Sequence, residues 1–124
     1  MPMAVDKILK RLAKSRFRSS FKLNDKDIEY INKKGLGEIK SHAREFIIER
    51  LAPKNPKNDG RQTPLRKHPV FKAQHATATC CRGCLKEWHK IPSGRKLNGD
   101  NIDFIVSLIM SWISAQADAK DKVS

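Results

Sequence analysis

Apolar residues recur at helical spacing along most of the chain, and no stretch alternates in the way a half-buried strand would. Val5, Ile8, Leu9 and Leu12 form one stripe while Lys7, Lys10, Arg11 and Lys14 take the opposite face, which predicts a basic amphipathic helix. Residues 15–20 read as a flexible link. Leu23-Asn24-Asp25-Lys26-Asp27-Ile28 reads as a helix start, with Asn24 as the cap, Asp27 three residues on and Leu23 placed to staple against Ile28; Gly35 supplies the stop. Ile39, Ala43, Phe46, Ile47 and Leu51 then mark a core helix from about Gly37 to Ala52, closed by Pro53. Asn98 caps a final helix carrying Ile102, Ile105, Leu108, Ile109, Trp112 and Ile113.

These elements predict an all-α, small single-domain helical fold of about five helices with a long basic loop and a Cys/His segment. Residues 1–20 form a basic N-terminal segment, 21–116 the helical domain, and 117–124 a tail expected to fray. A chain of 124 residues can bury one core without a disulfide framework. Between Pro53 and Pro69, proline, asparagine and basic side chains surround Asp59-Gly60, so that stretch reads as a loop that is either disordered or binds phosphate.

Charge adds a partner to this picture. Lys and Arg number 26 against 13 Asp and Glu, a formal net charge of +13, and the run from Lys7 to Lys22 contains no acid. Such an excess favours a polyanionic partner, nucleic acid foremost and an anionic membrane surface as the rival. Arg16, Arg18, Arg61, Arg66, Lys67 and Arg82 are the expected phosphate contacts. An odd number of cysteines and the lack of a signal-peptide pattern argue against a secreted disulfide scaffold, so a cytoplasmic location is expected. The apolar run from Ile102 to Ile113, interrupted by Asp103, Ser107 and Ser111, is too short to span a bilayer, and no transmembrane segment is expected.

Candidate chemistry is concentrated between His68 and His89, which hold every cysteine and three of the four histidines. Cys81-Arg82-Gly83-Cys84 has the C-x-x-C spacing that lets two thiolates chelate one ion. Of His68, His75, Cys80 and His89 as further donors, His75 and His89 are the expected partners of Cys81 and Cys84 in a tetrahedral zinc site. The same letters fit a continuous helix over 79–89 that buries its thiols beside Trp88 as small hydrophobes. They also fit redox chemistry at vicinal Cys80-Cys81 near Arg82. His42 lies at the polar edge of its helix and reads as a surface or capping histidine.

From Arg16 to about Gln116 the chain resembles a bacterial family, domain of unknown function 4186. The resemblance rests on Arg16-Phe17-Arg18-Ser19, Ser41-His42-Ala43-Arg44, Asn58-Asp59-Gly60, Gln62-Thr63-Pro64, His68-Pro69-Val70-Phe71, the block from Gln74 to Cys84, Trp88-His89 and Ile91-Pro92. It implies a shared fold and carries no catalytic role. An HNH-type nuclease is disfavoured, because one C-x-x-C stands where two would flank a His-Asn core. Two functions follow: a nucleic-acid-binding module with a structural Cys/His zinc site, or a metal- or thiol-dependent enzyme acting on an anionic substrate.

Overall fold

Asn24 begins the first core helix as its side chain predicts. It accepts the backbone N–H of Asp27 at 2.9 Å while Asp27 accepts the N–H of Asn24 at 2.9 Å, a reciprocal cap that satisfies two otherwise orphaned donors. In this computed structural model, residues 2–57, 61–65 and 67–123 are described, those at 2–4 and 120–123 by backbone alone. Among the described residues seven α-helices follow in order: α1 (Pro2–Ala13), α2 (Arg16–Ser19), α3 (Asp25–Lys34), α4 (Leu36–Phe46), α5 (Pro69–Ala76), α6 (Arg82–His89) and α7 (Gly99–Val123). No strand occurs among the described residues, so the fold is all-α.

The helices beyond the five legible from periodicity are short. α2 is a single turn, begun where Ser15 accepts the N–H of Arg18 at 3.2 Å, and it occupies the stretch that reads as a flexible link. α5 has eight residues, fewer than a clear apolar stripe needs. α4 passes without a break into a π-helical turn, Ile47–Leu51, in which the N–H of Ala52 reaches the carbonyl of Ile47 at 2.8 Å. The widened turn ends at Pro53, which has no N–H to continue a ladder.

α7 is the spine. Ile105, Val106, Leu108, Ile109 and Ile113 are buried, and α5, α4 and α1 pack along it. Each such side chain contributes roughly 1.5–3 kcal/mol when fully buried. The helix runs on through Val123, beyond the end expected near Gln116, because no Gly or Pro follows Gly99 and alanines at 115, 117 and 119 favour continuation. Its stretch Gly99–Ala119 is long and apolar enough to cross a membrane by length and composition alone, with mean hydropathy 1.2. Among the described residues between Leu51 and Pro69 no helix forms, yet Gln62 and Thr63 are buried there.

His68 starts α5 by accepting the N–H of Val70 on Nδ1 at 3.0 Å. That bond fixes the tautomer, leaving Nε2–H to donate to His42 Nδ1 at 3.1 Å. His42 is therefore a half-buried partner of the cap rather than an isolated surface group. Tyr30, Phe46 and Phe71 surround His68, and Asp27, which pairs with Lys72, is near enough to act on its charge.

Burial, with the neighbouring His42, lowers the His68 pKa from 6.5 to about 4, against a smaller upward pull from Asp27. The unfolded chain thus takes the proton first, so the contribution of neutral His68 is complete above pH 6.5 and drains away as pH falls towards 4. Thermal melts of the parent and His68→Asn, which can still cap but does not titrate, should diverge across that window. The parent loses Tm more steeply with acid, and parallel curves would remove His68 as the cause.

Candidate metal centre

The turn between α5 and α6 is built from small polar residues that satisfy their own backbone. Thr77 ends α5 and returns its hydroxyl to the carbonyl of Ala73 at 2.7 Å, and Ala78 takes a left-handed φ of 58°. The Gln74 amide then donates to the carbonyl of Thr79 at 3.0 Å, and the Thr63 hydroxyl donates to the carbonyl of Cys80 at 2.7 Å. This network delivers Cys80 directly beside Cys81, the N-cap of α6, whose Sγ accepts the N–H of Cys84 at 3.4 Å.

Three sulfurs converge as a result. All three Sγ atoms lie within 4.8 Å of one another, with Cys81–Cys84 at 3.3 Å and Cys80–Cys84 at 3.6 Å. Cys80 is buried, Cys81 and Cys84 are half-buried, and all are free thiols. For a Zn–S bond of about 2.3 Å, the edge of a tetrahedron is about 3.8 Å, so the trio is spaced for a single ion.

Arg18, only 8% exposed, reaches this cluster from α2. Its guanidinium donates to Cys84 Sγ at 3.1 Å, to Cys80 Sγ at 3.7 Å and to the carbonyl of His75 at 2.8 Å. Its guanidinium carbon also lies 5.9 Å from the Trp88 ring centroid, which that of Arg11 approaches at 5.6 Å. Burial pulls the Arg18 pKa down, but the contacts with Cys84 and Cys80 outweigh it and hold the group more firmly charged than usual.

The thiols respond in opposite directions. The hydrogen bond with Cys84 lowers the pKa of Cys80, burial opposes it and Arg18 assists. Cys84 is raised, first by that same bond and then by burial, and Cys81 is raised chiefly by burial. Of the three thiols, Cys80 is therefore the one whose ionisation the site favours.

The other expected ligands and contacts divide. His75 and His89, the expected zinc partners, lie outside the close sulfur group. His75 Nε2–H donates to the carbonyl of Thr63 at 3.1 Å while its ring stacks on Phe21, and His89 Nε2–H donates to the carbonyl of Thr77 at 2.8 Å. Their rings brace the turn that presents the sulfurs, and Cys80 is the third member of the close group with Cys81 and Cys84. The continuous helix over 79–89 is not formed, since Cys81 is extended (φ −156°, ψ 167°) and α6 starts only at Arg82.

Among the expected phosphate contacts, Arg82 is 1% exposed and donates to the carbonyls of Leu51, Pro53, Pro92 and Arg95. It is an internal clamp directed at backbone carbonyls and not an exposed contact for a polymer's phosphates, and Arg18 is withdrawn in the same way by the thiols. Arg16, Arg61 and Lys67 are exposed, and Arg66 lies outside the described residues. The vicinal Cys80-Cys81 pair was the available sign of the trio; Arg18 had none, being 62 residues from Cys80 in sequence.

Replacing Arg18 with Gln removes the cation beside two sulfurs. In metal-free protein, thiolate absorbance against pH should show the first ionisation moving up by about 1 pH unit or more. An unmoved titration with Cys80 reduced would show that Arg18 does not govern it.

No solved structure matches the chain. The family model described as a domain of unknown function, DUF4186, matches residues 6–114, most of the chain. The protein whose helices bring Cys80, Cys81 and Cys84 together belongs to that family.

Proposed function

We propose that this chain is a small metal-binding protein whose Cys80, Cys81 and Cys84 thiolates hold one thiophilic ion, with zinc the first candidate. The convergence of the three sulfurs within 4.8 Å carries the reading. Softness of the donors favours zinc or another thiophilic ion over magnesium or calcium. Three thiolates around a divalent ion leave one net negative charge, which the Arg18 guanidinium at Cys84 and Cys80 balances. Hydrogen bonds to ligating sulfur draw off charge and temper its nucleophilicity, so the arrangement suits an ion that is held rather than a thiolate that attacks.

Among the described residues no fourth Cys, His, Asp or Glu donor joins the group. A closed structural zinc site has four protein ligands, whereas three leave a position for water or an outside ligand. The enzymatic reading uses the same ligands and differs only in giving that position to a reacting species. Metal analysis of protein purified without a metal-affinity column should find one ion per chain, retained in His75→Ala and His89→Ala and lost in Cys81→Ser and Cys84→Ser. Cobalt loading should add a sulfur-to-metal charge-transfer band. Reduced protein that neither carries metal nor takes up zinc or cobalt would end this reading.

A second reading keeps nucleic acid as partner. It draws on the +13 charge and the exposure of Arg16, Arg61 and Lys67, and both readings suit a reducing compartment such as the cytoplasm, where free thiols persist. Anisotropy of a labelled oligonucleotide should show affinity falling steeply with salt. Reversing Arg16, Arg61 and Lys67 to Glu should flatten the log–log slope by about 2 or more; an unchanged slope would clear these three residues of phosphate contact.

A further inference from the structure

Between the end of α6 and the start of α7 the chain folds around a cavity of about 220 Å3, several times the ~30 Å3 that a water molecule occupies in the liquid. Arg82, Lys90, Arg95, Lys96, Asn98 and Asn101 line it, together with apolar side chains and Pro92, and no carboxylate does. Four cations on one small concavity repel one another, and a bound anion relieves that repulsion.

The wall is held rather than loose. Lys90 takes a left-handed φ of 58° at the end of α6, and the N–H of Ile91 returns to the carbonyl of Leu85 at 3.2 Å. The buried Arg82 guanidinium then grips the loop from inside, donating to the carbonyls of Pro92 at 3.1 Å and Arg95 at 2.6 Å. Further along, the N–H of Leu97 is tied to the carbonyl of Ala52 at 2.9 Å. The loop carrying Lys90, Arg95 and Lys96 is thereby fixed at both ends and in its middle, so ordering it costs little when a ligand arrives. Asn98 and Asn101 cap each other's backbone, at 2.7 and 3.3 Å, so the attraction rests on the side-chain cations and not on the exposed start of α7.

We infer that this cavity binds a small phosphate-bearing anion, a free phosphate or the terminal phosphate of a small ester, through Lys90, Arg95 and Lys96 against the fixed charge of Arg82. A recessed site of this size admits a terminal phosphate more readily than the flanked phosphates of a polymer. The inference is independent of the metal reading.

Calorimetric titration with inorganic phosphate and then pyrophosphate, at physiological ionic strength, tests it. Saturable binding is expected, weakened about tenfold or more in Lys90→Gln/Arg95→Gln/Lys96→Gln. It should be unchanged in Lys33→Gln/Lys34→Gln/Lys40→Gln, which removes the same charge elsewhere, and in Cys81→Ser, which disables the sulfur trio. In the unaltered protein, phosphate should shift backbone amide resonances of residues 90–101 ahead of others, a readout that needs no variant. Absence of saturable binding, or equal weakening by the two triple variants, would overturn the proposal. So would an oligonucleotide that binds through Lys90, Arg95 and Lys96 and that phosphate fails to displace.

Discussion

The interaction on which this structure turns is the burial of the Arg82 guanidinium among four carbonyls. A guanidinium does not shed its proton to escape a low-dielectric interior, so its burial is tolerable only where acceptors are prearranged around it. The carbonyls of Leu51 and Pro53 come from the end of the π-helical turn, and those of Pro92 and Arg95 from the loop after α6. Both segments lack a regular ladder, so their carbonyls are available, and one planar group with diverging donors joins them. The N–H of Leu97 on the carbonyl of Ala52 sews the same two segments together. Because Arg82 is the first residue of α6, the clamp also sets where that helix begins, and with it where Cys81 and Cys84 sit.

Arg18 performs a complementary task at the other edge of the sulfur trio. It enters from the N-terminal arm, where Val5 and Leu12 are buried and α1 packs on α7. The arm is thus part of the domain, anchored by apolar contact along α1 and by charge at the cysteines. Arg11 adds to this by donating to the carbonyl of Trp88 while approaching its ring. Any change in the charge state of the sulfurs is felt first by Arg18, and through it by the short helix α2.

These two arginines alter the meaning of the net charge. A formal excess of +13 suggests a uniformly basic surface, yet two of the cations are consumed internally, one by carbonyls and one by sulfur. What remains outside is gathered unevenly, with Lys90, Arg95 and Lys96 around one small concavity. Charge position therefore says more about partners here than charge total does.

Local sequence determined the helical class, the Asn24–Asp27 cap, the stop at Gly35 and the apolar stripes of α4 and α7, because each depends on residues within one or two turns of one another. It also marked the stretch from His68 to His89 as the place where chemistry gathers, though it could not choose among the donors within it. Tertiary structure decided which of them meet: a left-handed residue at Ala78 and a buried hydroxyl network bring Cys80, and not His75 or His89, to Cys81 and Cys84. It likewise decided that Arg18 and Arg82 face inward. Their partners lie between 10 and 66 residues away, and a basic side chain written in sequence carries no mark of whether a phosphate outside or a carbonyl or thiol inside will accept its hydrogen bonds.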